Sequence, residues 1–208
     1  MIVFQSCSHP GCDKFCLHDQ DTCLQHAKAK PDIQTKLIND FLDQDRVYGW
    51  NMGHIEFSNI SISNKQISHC SFSHCSFNNV IFSNCQIASS FFDCAAFSNC
   101  QWESCELHNT TFAGSSWENC KLSDSTFFQA SFNGIHGQKF KAASCDLFRS
   151  TFIGSKLTEG IFEDCNLKRV NFVRAELDQV EFQWSNEIEA FFHESQLRSD
   201  SQFLFDRL

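Results

Sequence analysis

Large apolar residues recur at every fifth position over most of this chain. From Phe57 the series runs Ile62, Ile67, Phe72, Phe77, Phe82, Ile87, Phe92, Phe97, Trp102, Leu107, Phe112, Trp117, Leu122, Phe127 and Phe132 without a miss. Gly137 and Ala142 interrupt it. Leu147, Phe152, Leu157, Phe162, Leu167, Phe172, Leu177 and Phe182 then resume in the same phase. With 42% of residues hydrophobic, sixteen consecutive hits have a chance probability on the order of one in a million, so repetition must be explained first.

A second register supports the first. Two residues before each large position stands a small one: Cys70, Cys75, Val80, Cys85, Ser90, Ala95, Cys100, Cys105, Thr110 and Ser115, for example. The other three positions of each unit are mostly polar. A strand alternates every two residues and a helix turns every 3.6, so neither period fits. Two inward positions in five, one large and one small, suit a short extended segment followed by a corner. Gly114, Gly134 and Gly154 fall two residues after the large position, where a turn favours glycine. No proline follows Pro31, so no ladder donor is missing.

Units such as Cys75-Ser76-Phe77-Asn78-Asn79 and Cys165-Asn166-Leu167-Lys168-Arg169 resemble the pentapeptide-repeat proteins. The resemblance implies an all-β solenoid: a right-handed, quadrilateral parallel β-helix with four units per coil and short helical caps at both ends. The 26 units from Phe57 to Phe182 would make six and a half coils. At roughly 4.8 Å per rung, that is a rod about 30 Å long. Cys and Phe replace the commoner Ala and Leu of the family, a flavour similar to its quinolone-resistance branch. In that branch, relatives resemble duplex DNA in width and charge and occupy the DNA site of DNA gyrase.

The ends and one interior segment depart from the repeat. Residues 31–46 predict a helix, with Pro31 and Asp32 in its first turn and Ile33, Leu37, Ile38, Phe41 and Leu42 on one stripe. Open coil ends need covers, so this helix, with Tyr48 and Trp50, is assigned to an N-terminal cap. A partner-binding helix is the alternative. Residues 134–143 read either as a bulge in a continuous coil or as two extruded units. Residues 186–198 predict a second helix, followed by Phe203, Leu204, Phe205 and Leu208. The expected organisation is a Cys/His-rich segment at 1–30, the cap at 31–53, the β-helix at 54–185 and a C-terminal cap or dimerisation element at 186–208. The resemblance adds the option of a homodimer through that last segment.

Composition narrows the function. Lys and Arg total 16 against 25 Asp and Glu, a formal charge of −9. That argues against direct binding to nucleic acid or to an anionic membrane. No apolar run reaches membrane-spanning length, and the start lacks the build of a signal peptide. Eight of thirteen cysteines occupy the small inward position, so they read as reduced, buried thiols in a cytoplasmic protein.

Candidate chemistry is concentrated near the N-terminus. Four residues separate Cys7 from Cys12, ten separate Cys12 from Cys23, and two separate Cys23 from His26. Three thiolates and one imidazole suit tetrahedral Zn²⁺ in a structural role, and the segment resembles small zinc knuckles. Cys16 and His18 could substitute for one ligand. The competing reading is a reduced arm without metal. No nucleophile elbow, phosphate loop or HExxH motif occurs, so a non-enzymatic role is expected.

The remaining information lies outside the repeat. Assign successive units to faces A, B, C and D, starting with the Phe57 unit on A. Faces A and B then carry ten acids, among them Glu103, Asp124, Glu163, Asp164 and Glu181, against four lysines. Faces C and D carry Asp93, Glu106 and Asp146 against Lys65, Arg149, Lys168, Arg169 and Arg174. This asymmetry requires an uninterrupted wrap. The core ladder would run Phe72, Phe92, Phe112, Phe132, Phe152 and Phe172. The leading expectation is a scaffold presenting a rigid face to a protein partner, a basic one if the acidic side binds. The alternative is a DNA-mimic rod that binds gyrase.

Overall fold

The computed structural model describes residues 4–193. Each five-residue unit makes one short straight segment and one corner. The residue two after the large one has positive φ at every corner from Gly49 to Trp184, as in Asn59 at 55°, Asn79 at 54° and Asn99 at 53°. Sterics disfavour this left-handed conformation for most side chains, while Asn and Gly accept it. Asparagine therefore recurs at the corners, and Gly114, Gly134 and Gly154 share one corner column.

Pairing partners lie twenty residues apart, which is four units per coil. Face A is a seven-stranded parallel sheet from Glu56–Ser58 to Glu176–Asp178, and face B another from Ser61–Ser63 to Glu181–Gln183. Face C has five strands from Arg46–Tyr48 to Thr126–Phe128, continued by single bridges at Asp146 and Asn166. Face D is a column of single bridges joining Asn51, Ser71, Phe91, Thr111, Ser131, Thr151, Asn171 and Phe191. Its units close more tightly, as where the Ser115 N–H donates to the Phe112 carbonyl at 3.1 Å. The four-sided parallel β-helix expected from the sequence is the fold found, and its first strand begins at Arg46.

The core is a set of stacked columns. Phe72, Phe92, Phe112, Phe132, Phe152 and Phe172 stack with centroid spacings of 4.8, 5.1, 5.0, 4.7 and 5.0 Å. Neighbouring columns meet edge to face, as Phe92 meets Trp102 at 81°. The small inward positions do more than fill space. Ser125 Oγ donates to the Ser123 carbonyl at 2.7 Å and accepts the Cys105 N–H at 2.9 Å. Cys100 Sγ likewise reaches the Ser98 carbonyl at 3.4 Å. These carbonyls already accept a rung N–H, from Ser104 at 3.1 Å and Asn79 at 2.9 Å, so the small inward side chain adds a second donor that Ala could not supply.

Residues 134–143 do not loop out. Strands His136–Gln138 and Lys141–Ala143 pair in register with the rungs on both sides. The sizes of the inward residues are exchanged instead. Ile135 and Phe140, both fully buried, take the small positions, while Gly137 and Ala142 take the large ones. A Cβ on Gly137 would lie 2.7 Å from Leu157 Cδ2, so the larger inward neighbours leave no room for one.

The N-terminal end is covered by helix α1 (Lys30–Asp43). Its Phe41 is fully buried and meets Phe57 and Phe72 edge-on at 6.2 and 5.6 Å. Lys65 does not face out on C, as the face assignment expected. It sits at a small inward position, where its Nζ donates to the Leu42 and Gln44 carbonyls at 2.8 and 2.6 Å. It thereby satisfies backbone oxygens left open at the end of α1.

At the other end the expected helix over 186–198 is not present in its described part. Glu187–Glu189 is a single 3₁₀ turn, and the coil continues. Phe191 bridges Asn171, and Phe192 stacks on Phe172 at 5.2 Å, so the ladder has one more member than expected. Asn186 supports this rung by accepting the Leu167 N–H at 2.6 Å. Trp184, Ile188 and Phe191 are exposed there. The remainder of that helix, the apolar tail and the homodimer assigned to them lie outside the described residues.

Two outcomes follow. Phe112→Ala should lower stability by about 3–5 kcal/mol in denaturant unfolding. Asn109, though outward, holds a positive φ of 52°. Asn109→Ala should therefore cost about 1 kcal/mol, and Asn109→Gly almost nothing. Thiol reactivity provides the second. Burial pushes the Cys70 and Cys75 thiols up to about 11 and 12, whereas Cys94 is exposed at a corner. Alkylation of the native, reduced protein should label Cys94 alone among the coil cysteines; labelling across the inward column would contradict the register.

Candidate metal centre and interaction face

The N-terminal arm brings four residues that are separated in sequence, three Cys and one His, together. The Cys7 N–H donates to the Lys14 carbonyl at 2.8 Å, and Ser6 bridges Phe15 antiparallel. This small hairpin turns through Gly11, whose φ is 75°, and delivers Cys7 and Cys12 to one side. A second turn, with the His26 N–H on the Cys23 carbonyl at 3.0 Å, presents Cys23 and His26. The ligand atoms of Cys7, Cys12, Cys23 and His26 all lie within 4.8 Å of one another.

The separations test the fit to a metal. Cys12 Sγ and Cys23 Sγ are 3.9 Å apart. His26 Nδ1 lies 3.6 Å from Cys7 Sγ and 3.5 Å from Cys23 Sγ. Standard zinc bond lengths in a regular tetrahedron give edges of roughly 3.8 Å for sulfur to sulfur and roughly 3.6 Å for sulfur to nitrogen. Burial opposes ionisation of Cys7, but N–H groups of Cys23 and His9 and the His26 ring hold its pKa down at about 6. The Cys23 N–H donates to Cys7 Sγ at 3.4 Å. His9 stacks on the His26 ring at 3.8 Å. A Cys₃His metal site is geometrically possible here.

The two substitutes are placed elsewhere. Cys16 Sγ donates to the Ser6 carbonyl at 3.1 Å, and burial raises its pKa. His18 stacks on Trp50 at 3.7 Å, where burial holds it below the usual histidine range.

Because the wrap is continuous, Glu103, Asp124, Glu163, Asp164 and Glu181 all lie on face B or its corner. Two acids of the A and B sides carry partners one rung away: Glu163 with Lys141 at 2.6 Å and Glu176 with Lys156 at 3.0 Å. Asp164 accepts from Ser144 at 3.2 Å. On the opposite side Lys168 pairs with Glu189 at 3.0 Å. No helix among the described residues is long and apolar enough to cross a membrane.

The family model for pentapeptide repeats matches residues 145–183 in eight copies. The same five-residue coil geometry runs from Gly49 to Trp184, so the fold is a pentapeptide-repeat β-helix. No curated protein matches the sequence. Solved structures that resemble it include a trypsin-treated form of QnrB1, a plasmid-mediated fluoroquinolone resistance protein. It is 17% identical, with 73% of this chain and 81% of that one covered and a TM-score of 0.42. Another is Rfr23, a pentapeptide-repeat protein from the cyanobacterium Cyanothece 51142. It is 7% identical, with 77% and 99% covered and a TM-score of 0.41.

Proposed function

We propose that this protein is a non-enzymatic binding module of a reducing compartment, with face B as its contact surface and a structural Zn²⁺ in the arm. One observation carries the reading: the columns from Met52 to Phe192 fill the interior, so the rod offers partners its outer surface. That surface is rigid and repeats at one rung spacing. Charge on face B favours a basic protein partner and electrostatic steering.

The test is affinity capture on the full chain, followed by affinity measurement over a salt series. Binding should weaken as salt passes through the physiological range, where the screening length is about 8 Å. Replacing Glu103 with Gln and Asp124 and Asp164 with Asn should weaken it about tenfold with little change in stability, since exposed charges contribute little to folding. Glu163 is left in place so that Lys141 keeps its partner. Arg149→Gln with Arg169→Gln should leave binding intact. Salt-insensitive binding, or equal losses from both sets, would reduce the acidity to a role in solubility.

The DNA-mimic reading gains less support. Mimicry needs charge along the rod, yet from Asn59 to Phe92 the one Lys, Arg, Asp or Glu is Lys65, which is buried. A gyrase supercoiling assay separates the two readings, because a scaffold would leave supercoiling unchanged.

In the metal reading, Cys7, Cys12, Cys23 and His26 close the coordination shell, so the ion has a structural task and no open position for substrate. Elemental analysis should find about one zinc per chain, lost in Cys12→Ser while the β-helix stays folded. Freshly reduced protein that carries no metal, and takes up none when zinc is supplied, would sink this reading.

A further inference from the structure

We infer that the metal-bound arm is the cap of the rod's N-terminal edge on face D, so that occupancy of the Cys₃His site governs whether that edge is closed. The inference rests on the zinc reading and goes beyond it by giving the metal a task in the coil. A β-helix ends in unpaired backbone groups, and each face needs its own cover. On face A the first rung is covered by a side chain of α1: Gln34 Oε1 accepts the Glu56 N–H at 3.1 Å. Face D has no such helper from α1.

The arm supplies it through Asn51. The His18 N–H donates to the Asn51 carbonyl at 2.8 Å. Asn51 Nδ2 donates to the Cys16 carbonyl at 2.7 Å, and Asn51 Oδ1 accepts the Gly53 N–H at 3.1 Å. Asn51 is buried, so these bonds are shielded from water. Leu17 is buried and joins the core cluster. The His18 ring lies on Trp50, and Trp50 meets Phe41 at 6.4 Å. One tripeptide, Cys16-Leu17-His18, thus closes a backbone edge and seals a corner of the core.

That tripeptide sits midway between two ligands, Cys12 and Cys23. Within the arm itself the span is held by one antiparallel bridge and short-range hydrogen bonds, such as the Leu17 N–H on the Thr22 carbonyl and Cys16 Sγ on the Ser6 carbonyl, both at 3.1 Å. Ordering backbone costs about 1–2 kcal/mol per residue. A short arm with few apolar residues does not recover that cost alone, and closing four ligands on one ion does. Without the metal the tripeptide loses its fixed position, and Asn51 loses both partners in the arm.

Amide exchange followed by NMR on the full-length, reduced protein tests this, because the Gly53 amide reports on the Asn51 relay without belonging to the arm. Chelation should raise Gly53 exchange about tenfold or more, while amides of residues 100–160 stay unchanged. Asn51→Ala should raise Gly53 exchange to the same extent with zinc retained. His18→Ala, which keeps the Asn51 side chain, should raise it less and also retain zinc. Metal released on chelation with Gly53 protection unchanged would overturn the capping role and leave the zinc reading standing. Protein that never takes up zinc would overturn both, and elemental analysis tells that outcome apart.

Discussion

A chain that turns a corner every five residues must pass through a left-handed residue at each corner, and everything else in this rod depends on that. The positive φ recurs from Gly49 to Trp184 without exception. It brings residue i beside residue i+20, so rung amides and carbonyls pair along the axis. It also sends two of every five side chains inward into a cross-section of nearly constant area. Interiors pack at crystal-like density, so each rung must supply about the same volume. Phe and Leu can trade places along a column, but a rung cannot shrink.

The exchange at 134–143 shows how strict this is and where it is lenient. The inward volume is kept by Ile135 and Phe140 while Gly137 and Ala142 retreat. The strands stay in register because pairing is made by the backbone, which is indifferent to which inward position carries the bulk. Continuity has a consequence for charge. Asp164 and Glu181 stay on the same face as Glu103 and Asp124, and a two-unit loop would have sent them to the opposite face.

The ends obey a different rule, because the repeat has no next rung to pair with. Each solution here is a single residue placed for the purpose. Lys65, at an inward position, binds the Leu42 and Gln44 carbonyls where α1 ends. Gln34 covers a strand amide, and Asn51 joins the first rung to the arm. Such residues carry no periodic signature, since each meets a need that arises once.

The repeat itself was legible in the sequence because its physical cause is local: one large and one small inward position in every five residues. That is enough to set the coil, its columns from Phe72 to Phe172 and the inward cysteines. The cluster of Cys7, Cys12, Cys23 and His26 was legible too, since Cys and His at such spacings stand out from their surroundings. Other features were decided only by tertiary packing. The phase of 134–143 depended on Leu157 and Phe140 competing for the space beside Gly137. The repeat turns position 65 inward, but the carbonyls that Lys65 binds there depended on where α1 ends. The seventh ring of the ladder, Phe192, depended on Asn186, which accepts the Leu167 N–H and donates to Asn166 one rung back. Sequence periodicity reports what every unit shares; what happens once, between residues far apart in the chain, needs the fold to bring its partners together.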